Sequence, residues 1–192
     1  MGFLSILSFA HGLVRERVRP GDVVVDATMG NGHDTLFLAG LVGAGGRVYA
    51  FDVQEAALAN TRERLASAGI PAERCELLLR DHAELADALP SDALGRVAAV
   101  LFNLGYLPGG DHGVVTTPAS TVRALGAGLA ALRAGGVLCA VVYPGHAGGA
   151  EEAAAVEAWA AELEQARFQA MTYRFLNQRS APPYVVAVEK RQ

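Results

Sequence analysis

The segment Val23–Thr35 reads VVVDATMGNGHDT, and it decides the fold of this chain. An apolar run suited to a buried strand leads to Asp26, and a turn with Gly30 and Gly32 follows before polar residues that can begin a helix. A second apolar run ends at Asp52, about 20 residues beyond the glycines. This arrangement is typical of a Rossmann-like sheet that binds an adenosine-containing cofactor.

Strand-like and helix-like patterns alternate outward from this segment, without an internal repeat or a low-complexity linker. The predicted strands are 22–27, 47–52, 75–80, 97–103, 137–143, 168–175 and 184–189. The predicted helices are 3–18, 33–42, one carrying Leu58 and Leu65, 83–89, one from Thr117-Pro118 to Gly135-Gly136, and 149–165. No helical pattern separates the last two strands, which are therefore predicted to form an antiparallel hairpin.

These patterns predict an α/β fold with a doubly wound, Rossmann-like and mostly parallel seven-stranded sheet. The terminal hairpin gives this outline the form of a class I methyltransferase, with strand order 3-2-1-4-5-7-6. We expect one domain over 1–192, with an N-terminal helix within 1–20 and the hairpin over 167–190. A length of 192 residues, 52% of them hydrophobic, suits one domain with a sizeable core.

The remaining composition predicts a cytoplasmic protein. No apolar run reaches the ~18 residues that span a bilayer, and the charges near the N-terminus follow the apolar stretch instead of preceding it. Cys75 and Cys139 each lie in an apolar run without metal-ligand spacing, so we expect buried thiols and no metal site.

A net charge of −4 argues against broad, non-specific binding of nucleic acid. Two small groups of arginines, Arg15, Arg17 and Arg19 near the N-terminus and Arg174 and Arg179 near the C-terminus, leave a local basic patch possible. Both groups also fit ordinary solvated surface charge.

The first loop distinguishes between adenosine-containing cofactors. A dinucleotide site requires G-x-G-x-x-G directly after the first strand, and this chain has no third glycine after Gly32. The acid precedes the glycines, as in the methyltransferase motif D-x-G-x-G-x-G, and Thr28 stands at the first glycine of that motif. The loop therefore favours S-adenosylmethionine over NAD.

Each polar group of this site has a predicted role. Gly30 and Gly32 allow close backbone approach, and the helix that follows can receive the cofactor carboxylate at its N-terminus. Asp26 is expected to attract the ammonium group through water, and Asp52 to accept both ribose hydroxyls. Asp81, with His82, stands where such folds bind adenine, although Asp81 also fits a helix N-cap. The candidate cofactor-binding residues are Asp26, Thr28, Gly30, Asn31, Gly32, Asp34, Asp52, Gln54, Asp81, His82 and Asn103.

The fourth strand ends in FNLGYLPGGDH, which partly matches the [DN]-P-P-[FY] motif of amine methyltransferases. Asn103 and Tyr106 keep the spacing of the motif, but Leu104 and Gly105 replace both prolines, so the acceptor need not be a base amine. An aliphatic amine is mostly protonated at neutral pH and must lose a proton before it attacks. The candidate catalytic residues are Asn103 and Tyr106, with Asp111, His112 and His146 as possible bases. Loop capping and packing are alternative roles for these residues.

Six segments together resemble a bacterial family labelled "putative rRNA methylase". They are DATMGNGHDTLFLA, YAFDVQ, FNLGYLPGGDH, TTPASTVRAL, YPGHAGG and PPYVVAVEK. Characterised members of the family methylate the amine of 5-aminomethyl-2-thiouridine at the wobble position of tRNA. The resemblance implies substrate-side roles for Asn103, Tyr106, Pro108, Gly109 and Gly110, with Tyr143, Pro144, Gly145 and His146 at the mouth of the site.

The sequence thus predicts an S-adenosylmethionine-dependent N-methyltransferase that forms 5-methylaminomethyl-2-thiouridine in tRNA. Its partner would be the anticodon stem-loop, and a homodimer could combine two sparse basic patches into one RNA-binding surface. Two alternatives remain open at this stage. One is a methyltransferase of a small amine or of rRNA, and the other is a cofactor-binding regulator without catalytic activity.

Overall fold

The sheet has the predicted topology. The computed structural model describes residues 2–109 and 115–191, so Gly110, Asp111 and His112 lie outside the described residues. The strands are β1 Val23–Asp26, β2 Arg47–Asp52, β3 Cys75–Leu79, β4 Val97–Asn103, β5 Leu132–Val142, β6 Phe168–Tyr173 and β7 Tyr184–Lys190. They form one seven-stranded sheet in the order β3-β2-β1-β4-β5-β7-β6, in which β7 pairs antiparallel with both β5 and β6.

Helices alternate with the first five strands. They are α1 Ile6–Arg17, α2 His33–Val42, α3 Glu55–Ser67, α4 Leu85–Ala88, α5 Pro118–Ala131 and α6 Gly149–Ala161, with short 3₁₀ turns at Ala72–Arg74 and His82–Glu84. None of the helices in the described part of the chain is long and apolar enough to cross a membrane.

The largest departure from prediction lies between α5 and β5. The helix ends at Ala131 and not at Gly135-Gly136, and the chain enters β5 directly at the buried Leu132. Leu132 pairs with Val97, and the register between β4 and β5 shifts before Ala99. The glycines belong to this irregularity, since a Cβ at Gly136 would lie 3.1 Å from the Val97 carbonyl oxygen.

Two smaller differences concern helix ends. The predicted helix 83–89 is a 3₁₀ turn followed by the four-residue α4, and α6 ends at Ala161, four residues before the predicted position. After α6, the backbone N–H groups of Arg167 and Phe168 both donate to the Glu164 carbonyl, forming a turn into β6.

The sheet is covered by an apolar layer on each face. Helices α1, α2 and α3 bury Val14, Leu38 and Leu65 against one face, while α4, α5 and α6 bury Leu85, Leu125 and Val156 against the other. The two thiols, at Cys75 and Cys139, are buried as predicted, and burial raises their pKa values to about 11 and about 12. These covered faces leave the edge at the carboxyl ends of β1, β2, β4 and β5 as the place for a site.

The turn between β1 and α2 depends on a glycine. Gly32 has φ +77°, and a Cβ there would lie 2.8 Å from Cα of Thr61 in α3. The turn can therefore pack against α3 only if position 32 carries no side chain.

We predict that Gly32→Ala lowers the free energy of unfolding by about 2–4 kcal/mol, because it adds backbone strain to a clash with backbone atoms. The matched control is Gly40→Ala on α2, where a Cβ meets nothing within 4 Å. That change should stay within about 1 kcal/mol of wild type. Urea unfolding of both variants tests the prediction, and equal stabilities would contradict it.

Candidate active site

One cavity of about 570 Å³ opens at the carboxyl ends of the parallel strands. It gathers most of the residues that the sequence singled out. Those lining it are Thr28, Gly30, Asn31, Asp34, Asp52, Gln54, Asp81, His82, Asn103, Tyr106 and His146. The described part of the chain contains no group of three or more His, Cys, Asp or Glu side chains that could hold a metal ion.

Asp26 and Gly32 support the cavity wall instead of lining it. The Asp26 carboxylate is buried and accepts hydrogen bonds from the Thr28 backbone N–H (3.2 Å) and the Thr35 hydroxyl (2.6 Å). Burial, followed by the charge of Asp34, raises the pKa of Asp26 to about 7. Asp26 therefore shapes the turn directly, and its water-mediated contact with a cofactor ammonium stays a prediction.

Asp52 ends β2 at the cavity. Its Oδ2 accepts from the Gly30 backbone N–H and its Oδ1 from the Gln54 backbone N–H, both at 3.0 Å. Each carboxylate oxygen has more than one lone-pair position, so Asp52 retains capacity to accept from two ribose hydroxyls. The glycine turn and the acid predicted to bind the ribose are thus connected by hydrogen bonds.

Asn31 connects the glycine turn to two other elements. Its backbone carbonyl accepts from Nε of Arg64 (2.6 Å), and its Oδ1 accepts from the Asn60 side chain (2.8 Å). Its Nδ2 donates to the Pro108 carbonyl (3.1 Å), across the cavity mouth. The turn is therefore held in place by α3 on one side and by the loop after β4 on the other.

Asp81 and His82 lie at the adenine end predicted for the cavity. Asp81 is the N-cap of the 3₁₀ turn and accepts from the Ala83 backbone N–H (2.8 Å), so its alternative role as a cap is confirmed. His82 is buried with its ring edge-on to Phe102, and burial lowers its pKa. A neutral ring beside an apolar wall suits a flat, uncharged ligand.

Thr28 replaces the first glycine of the methyltransferase motif, and the structure provides a reason. Its hydroxyl accepts a hydrogen bond of 2.6 Å from the backbone N–H of Asn103. The loop after β1 and the end of β4 are therefore joined by a side chain that glycine lacks.

The Asn103 side chain is held at both ends. Its Nδ2 donates to Oδ2 of Asp34, and its Oδ1 accepts from the Tyr143 hydroxyl at 3.3 Å. An ionised carboxylate accepts only, so the amide NH₂ must face Asp34 and the amide oxygen the other way. Burial raises the pKa of Tyr143, which keeps its hydroxyl a donor.

Tyr106 and His146 form the opposite wall. Their rings meet edge-to-face, with centroids 5.9 Å apart, and Tyr106 is 42% exposed. Nδ1 of His146 lies 2.9 Å from the Ala147 carbonyl oxygen, so Nδ1 carries the hydrogen and Nε2 the lone pair. Nε2 is buried with no hydrogen-bond partner among the described residues.

Gly105 explains why the proline motif is absent. Its φ is +143°, and a Cβ would lie 3.5 Å from Nε2 of His146. Proline holds φ near −65° and cannot take this conformation. The loop after β4 therefore follows a path that a [DN]-P-P-[FY] segment could not follow.

Glu152 supports this loop and was missed by sequence reasoning. This α6 carboxylate is buried and accepts from the hydroxyls of Thr116 (2.8 Å) and Thr121 (2.5 Å). The Thr116 hydroxyl in turn accepts from the Gly105 backbone N–H (2.8 Å). The available signal was an acid one helical turn before the inward-facing Val156.

His11 was also missed. Its Nε2 lies 2.7 Å from Oδ1 of Asp34, although the sequence shows only a histidine in an apolar helix. No local pattern relates position 11 to position 34.

Comparison with known proteins agrees with the predicted family and fold. A family model described as "Putative rRNA methylase" matches residues 48–189. An Arabidopsis thaliana chloroplastic protein named tRNA (mnm(5)s(2)U34)-methyltransferase is 39% identical over 190 residues, which cover 95% of this chain and 68% of that protein.

Two solved structures share the fold over nearly their whole length. A "putative rRNA-methylase" from Clostridium thermocellum is 38% identical, with a TM-score of 0.94 over 99% of this chain and all of that one. A "putative methyltransferase" from Streptococcus mutans in complex with SAH is 37% identical, with a TM-score of 0.87 over 98% of this chain and 99% of that one. The predicted cofactor is confirmed as S-adenosylmethionine, and so is the prediction of an enzyme over a regulator.

The buried Asp26 makes stability depend on pH. Its folded pKa of about 7 exceeds the unfolded value, so between pH 4 and 7 the folded state binds more protons and stability falls as pH rises. Asp26→Asn removes the ionisation but keeps an oxygen for the Thr28 N–H.

We therefore predict that the cofactor-free Asp26→Asn variant gains melting temperature relative to wild type as pH rises from 5.5 to 8. Thermal unfolding at both pH values measures this difference. Asp87→Asn, an exposed acid on α4, is the control and should show no such trend. A difference between Asp26→Asn and wild type that does not change with pH would contradict the prediction.

Removal of Glu152 should loosen the loop after β4. We predict that Glu152→Ala lowers the free energy of unfolding by about 1–3 kcal/mol, because two threonine hydroxyls lose their acceptor. The acceptor KM should rise, while the dissociation constant of S-adenosylhomocysteine changes less. Glu151→Ala, exposed on the same helix, should match wild type in all three measurements. Equal effects of the two substitutions would show that the buried carboxylate does not hold this loop.

Proposed function

We propose that this protein, which belongs to the family described as "Putative rRNA methylase", methylates the aminomethyl nitrogen of a tRNA wobble uridine. The reaction would convert 5-aminomethyl-2-thiouridine to 5-methylaminomethyl-2-thiouridine. The activity named for the Arabidopsis thaliana relative supports this acceptor.

The observation that carries the proposal is the fixed orientation of Asn103. Because the amide NH₂ donates to Asp34, the amide oxygen faces Tyr143 and accepts from its hydroxyl. The second lone pair of that oxygen remains to accept a hydrogen bond from an amine. Both Asn103 and Tyr143 line the cavity. An amide oxygen at this place can orient an N–H donor so that the nitrogen lone pair points at the methyl group.

The cofactor supplies a methyl group on its sulfonium and leaves as S-adenosylhomocysteine. The acceptor must first lose a proton, since an alkylamine has a pKa near 10. Asn103 cannot take that proton. Among the predicted bases within the described residues, we assign this role to His146, which lines the cavity and whose Nε2 has no hydrogen-bond partner there. Nε2 is buried in this structure, so the ring must turn toward the cavity to reach the amine.

Tyr106 is suited to hold the nucleobase. Its ring is partly exposed at the cavity mouth, and the edge-to-face contact with His146 fixes its orientation. Stacking of a base on such a ring stabilises binding by about 1–3 kcal/mol. Asn103 and Tyr106 would then address the amine and the ring of the same nucleotide.

The basic groups suggest a modest RNA footprint. Arg17 already pairs with Glu189 at 2.6 Å, and Arg174 lies 3.5 Å from Glu157. Two of the five arginines in the two basic groups therefore already face an acid, and we expect a shallow salt dependence for one chain. A homodimer that joins two such patches would supply a larger surface, and this assembly remains a prediction.

The deciding assay supplies methyl-labelled cofactor and tRNA that carries or lacks the aminomethyl group. We expect transfer only to the modified tRNA. Asn103→Ala should lower kcat by about 100-fold through loss of the orienting oxygen. Gln169→Ala, an exposed polar change on the edge strand β6, should match wild type.

The same assay tests the alternatives. Equal labelling of both tRNAs, or labelling of rRNA or a free small amine in preference to tRNA, would contradict the proposed acceptor.

A further inference from the structure

We infer that His11, on the N-terminal helix α1, is a positioning residue for methyl transfer that acts through Asp34 on Asn103. The kinetic consequence of this inference rests on the proposed function. The arrangement of the three side chains does not depend on that function.

His11 stands behind the cavity wall. Asp34 lines the cavity and is nearly buried, whereas His11 does not line it and reaches Oδ1 of Asp34 from the far side. The imidazole stacks on Phe37 of α2, with ring centroids 4.0 Å apart and an interplanar angle of 14°. His11 is thus fixed by α2 in two ways, through the ring and through Nε2.

A chain of hydrogen bonds links His11 through Asp34 to Asn103. Asp34 accepts from His11 at Oδ1 and from Asn103 at Oδ2, and Asn103 accepts from Tyr143. With an ionised carboxylate in the middle, both neighbours must be donors. The direction of the Asn103 amide oxygen therefore depends on Asp34, which is itself held by His11 from α1.

Asp34 lies among other acidic side chains. Asp26, buried in the adjoining turn, has a raised pKa partly because of the Asp34 charge, and Asp52 adds to the same field. The charged groups near His11 are Asp34 and the guanidinium of Arg15, which lies over the Phe37 ring, 5.3 Å from its centroid. The His11 N–H donates to the Asp34 carboxylate and holds its orientation among these neighbouring acids.

Loss of His11 should free the Asp34 carboxylate to turn about its side-chain bonds, because one of its two hydrogen bonds is gone. The amide NH₂ of Asn103 would then lose its fixed acceptor, and the amide oxygen would turn away from the methyl acceptor. Misplacement of an orienting group by about 1 Å can cost about 100-fold in rate. Cofactor contacts at Asp52 and Gly30 would be unaffected.

The test measures kcat and KM for His11→Ala, Asn103→Ala and the double variant on aminomethyl tRNA. We expect His11→Ala to lower kcat by about 10- to 100-fold with little change in KM. In the Asn103→Ala background the same change should cost less than about threefold, because its effect passes through Asn103. Independent losses that multiply in the double variant would overturn the inference.

Two further variants separate positioning from simple destabilisation of α1. His11→Gln retains a side-chain N–H donor and should recover much of the lost kcat, while Gly12→Ala, where a Cβ meets nothing within 4 Å, should behave as wild type. The dissociation constant of S-adenosylhomocysteine should stay within about twofold of wild type in His11→Ala, His11→Gln and Gly12→Ala. Failure of His11→Gln to exceed His11→Ala would contradict a positioning role.

A measurement without turnover keeps the two proposals distinct. The ¹⁵N side-chain amide resonances of Asn103, assigned by comparison with Asn103→Ala, report its bond to Asp34. They should shift in His11→Ala and return toward wild type in His11→Gln. If wild type proves inactive on every aminomethyl tRNA, the proposed function fails while this shift still supports the contact. Unchanged resonances in His11→Ala overturn the inference whatever the activity.

Discussion

The site depends on the placement of β1 in the middle of the sheet, between β2 and β4 and parallel to both. In this register Asp26 lies opposite Ala50 on one side and Leu101 on the other, so three loops leave the same edge close together. Hydrogen bonds then join these loops, from Gly30 N–H to Asp52 and from Asn103 N–H to Thr28. The groups predicted to bind the cofactor and those predicted to bind the acceptor are neighbours because these parallel strands end at the same edge of the sheet.

Burial around β1 also has an electrostatic effect. Asp26, Asp34 and Asp52 converge on the turn that follows the strand, and the carboxylate without solvent, Asp26, has its pKa raised to about 7. The backbone N–H groups of Thr28, Gly30 and Gln54 point at Asp26 and Asp52 and offset part of this repulsion. The positively charged sulfonium cofactor is attracted by such a negative field, since it carries the opposite charge.

Much of the fold could be predicted because its signals are local. The bounds of α2, β2 and β4 match the prediction, since capping residues and apolar runs mark them in sequence. The predicted end of α5 was wrong because the two glycines, which resemble a helix C-cap, belong to the irregular start of β5. That irregularity arises from the pairing of β5 with β4, which the local sequence does not show.

The site residues also divide into those with a local sequence signal and those placed only by tertiary contacts. Asp52 and Asn103 were found from strand ends, whereas Glu152 and His11 act over 31 and 23 positions of sequence, through contacts that no spacing rule relates. The sequence identified Thr28 as a departure from the methyltransferase motif. Its role in joining the loop after β1 to the end of β4 follows only from the hydrogen bond that its hydroxyl accepts from Asn103.

Asn31 carries a consequence for how this enzyme could change. Its side chain joins the glycine turn after β1 to Pro108 in the loop after β4, so a shift of one segment displaces the other. A cofactor analogue with a larger transferable group would press on both segments at once. A wider range of cofactor analogues and a wider range of acceptors are therefore coupled properties of this enzyme. Directed evolution toward either should select early changes at Asn31 or in the loop that contains Pro108.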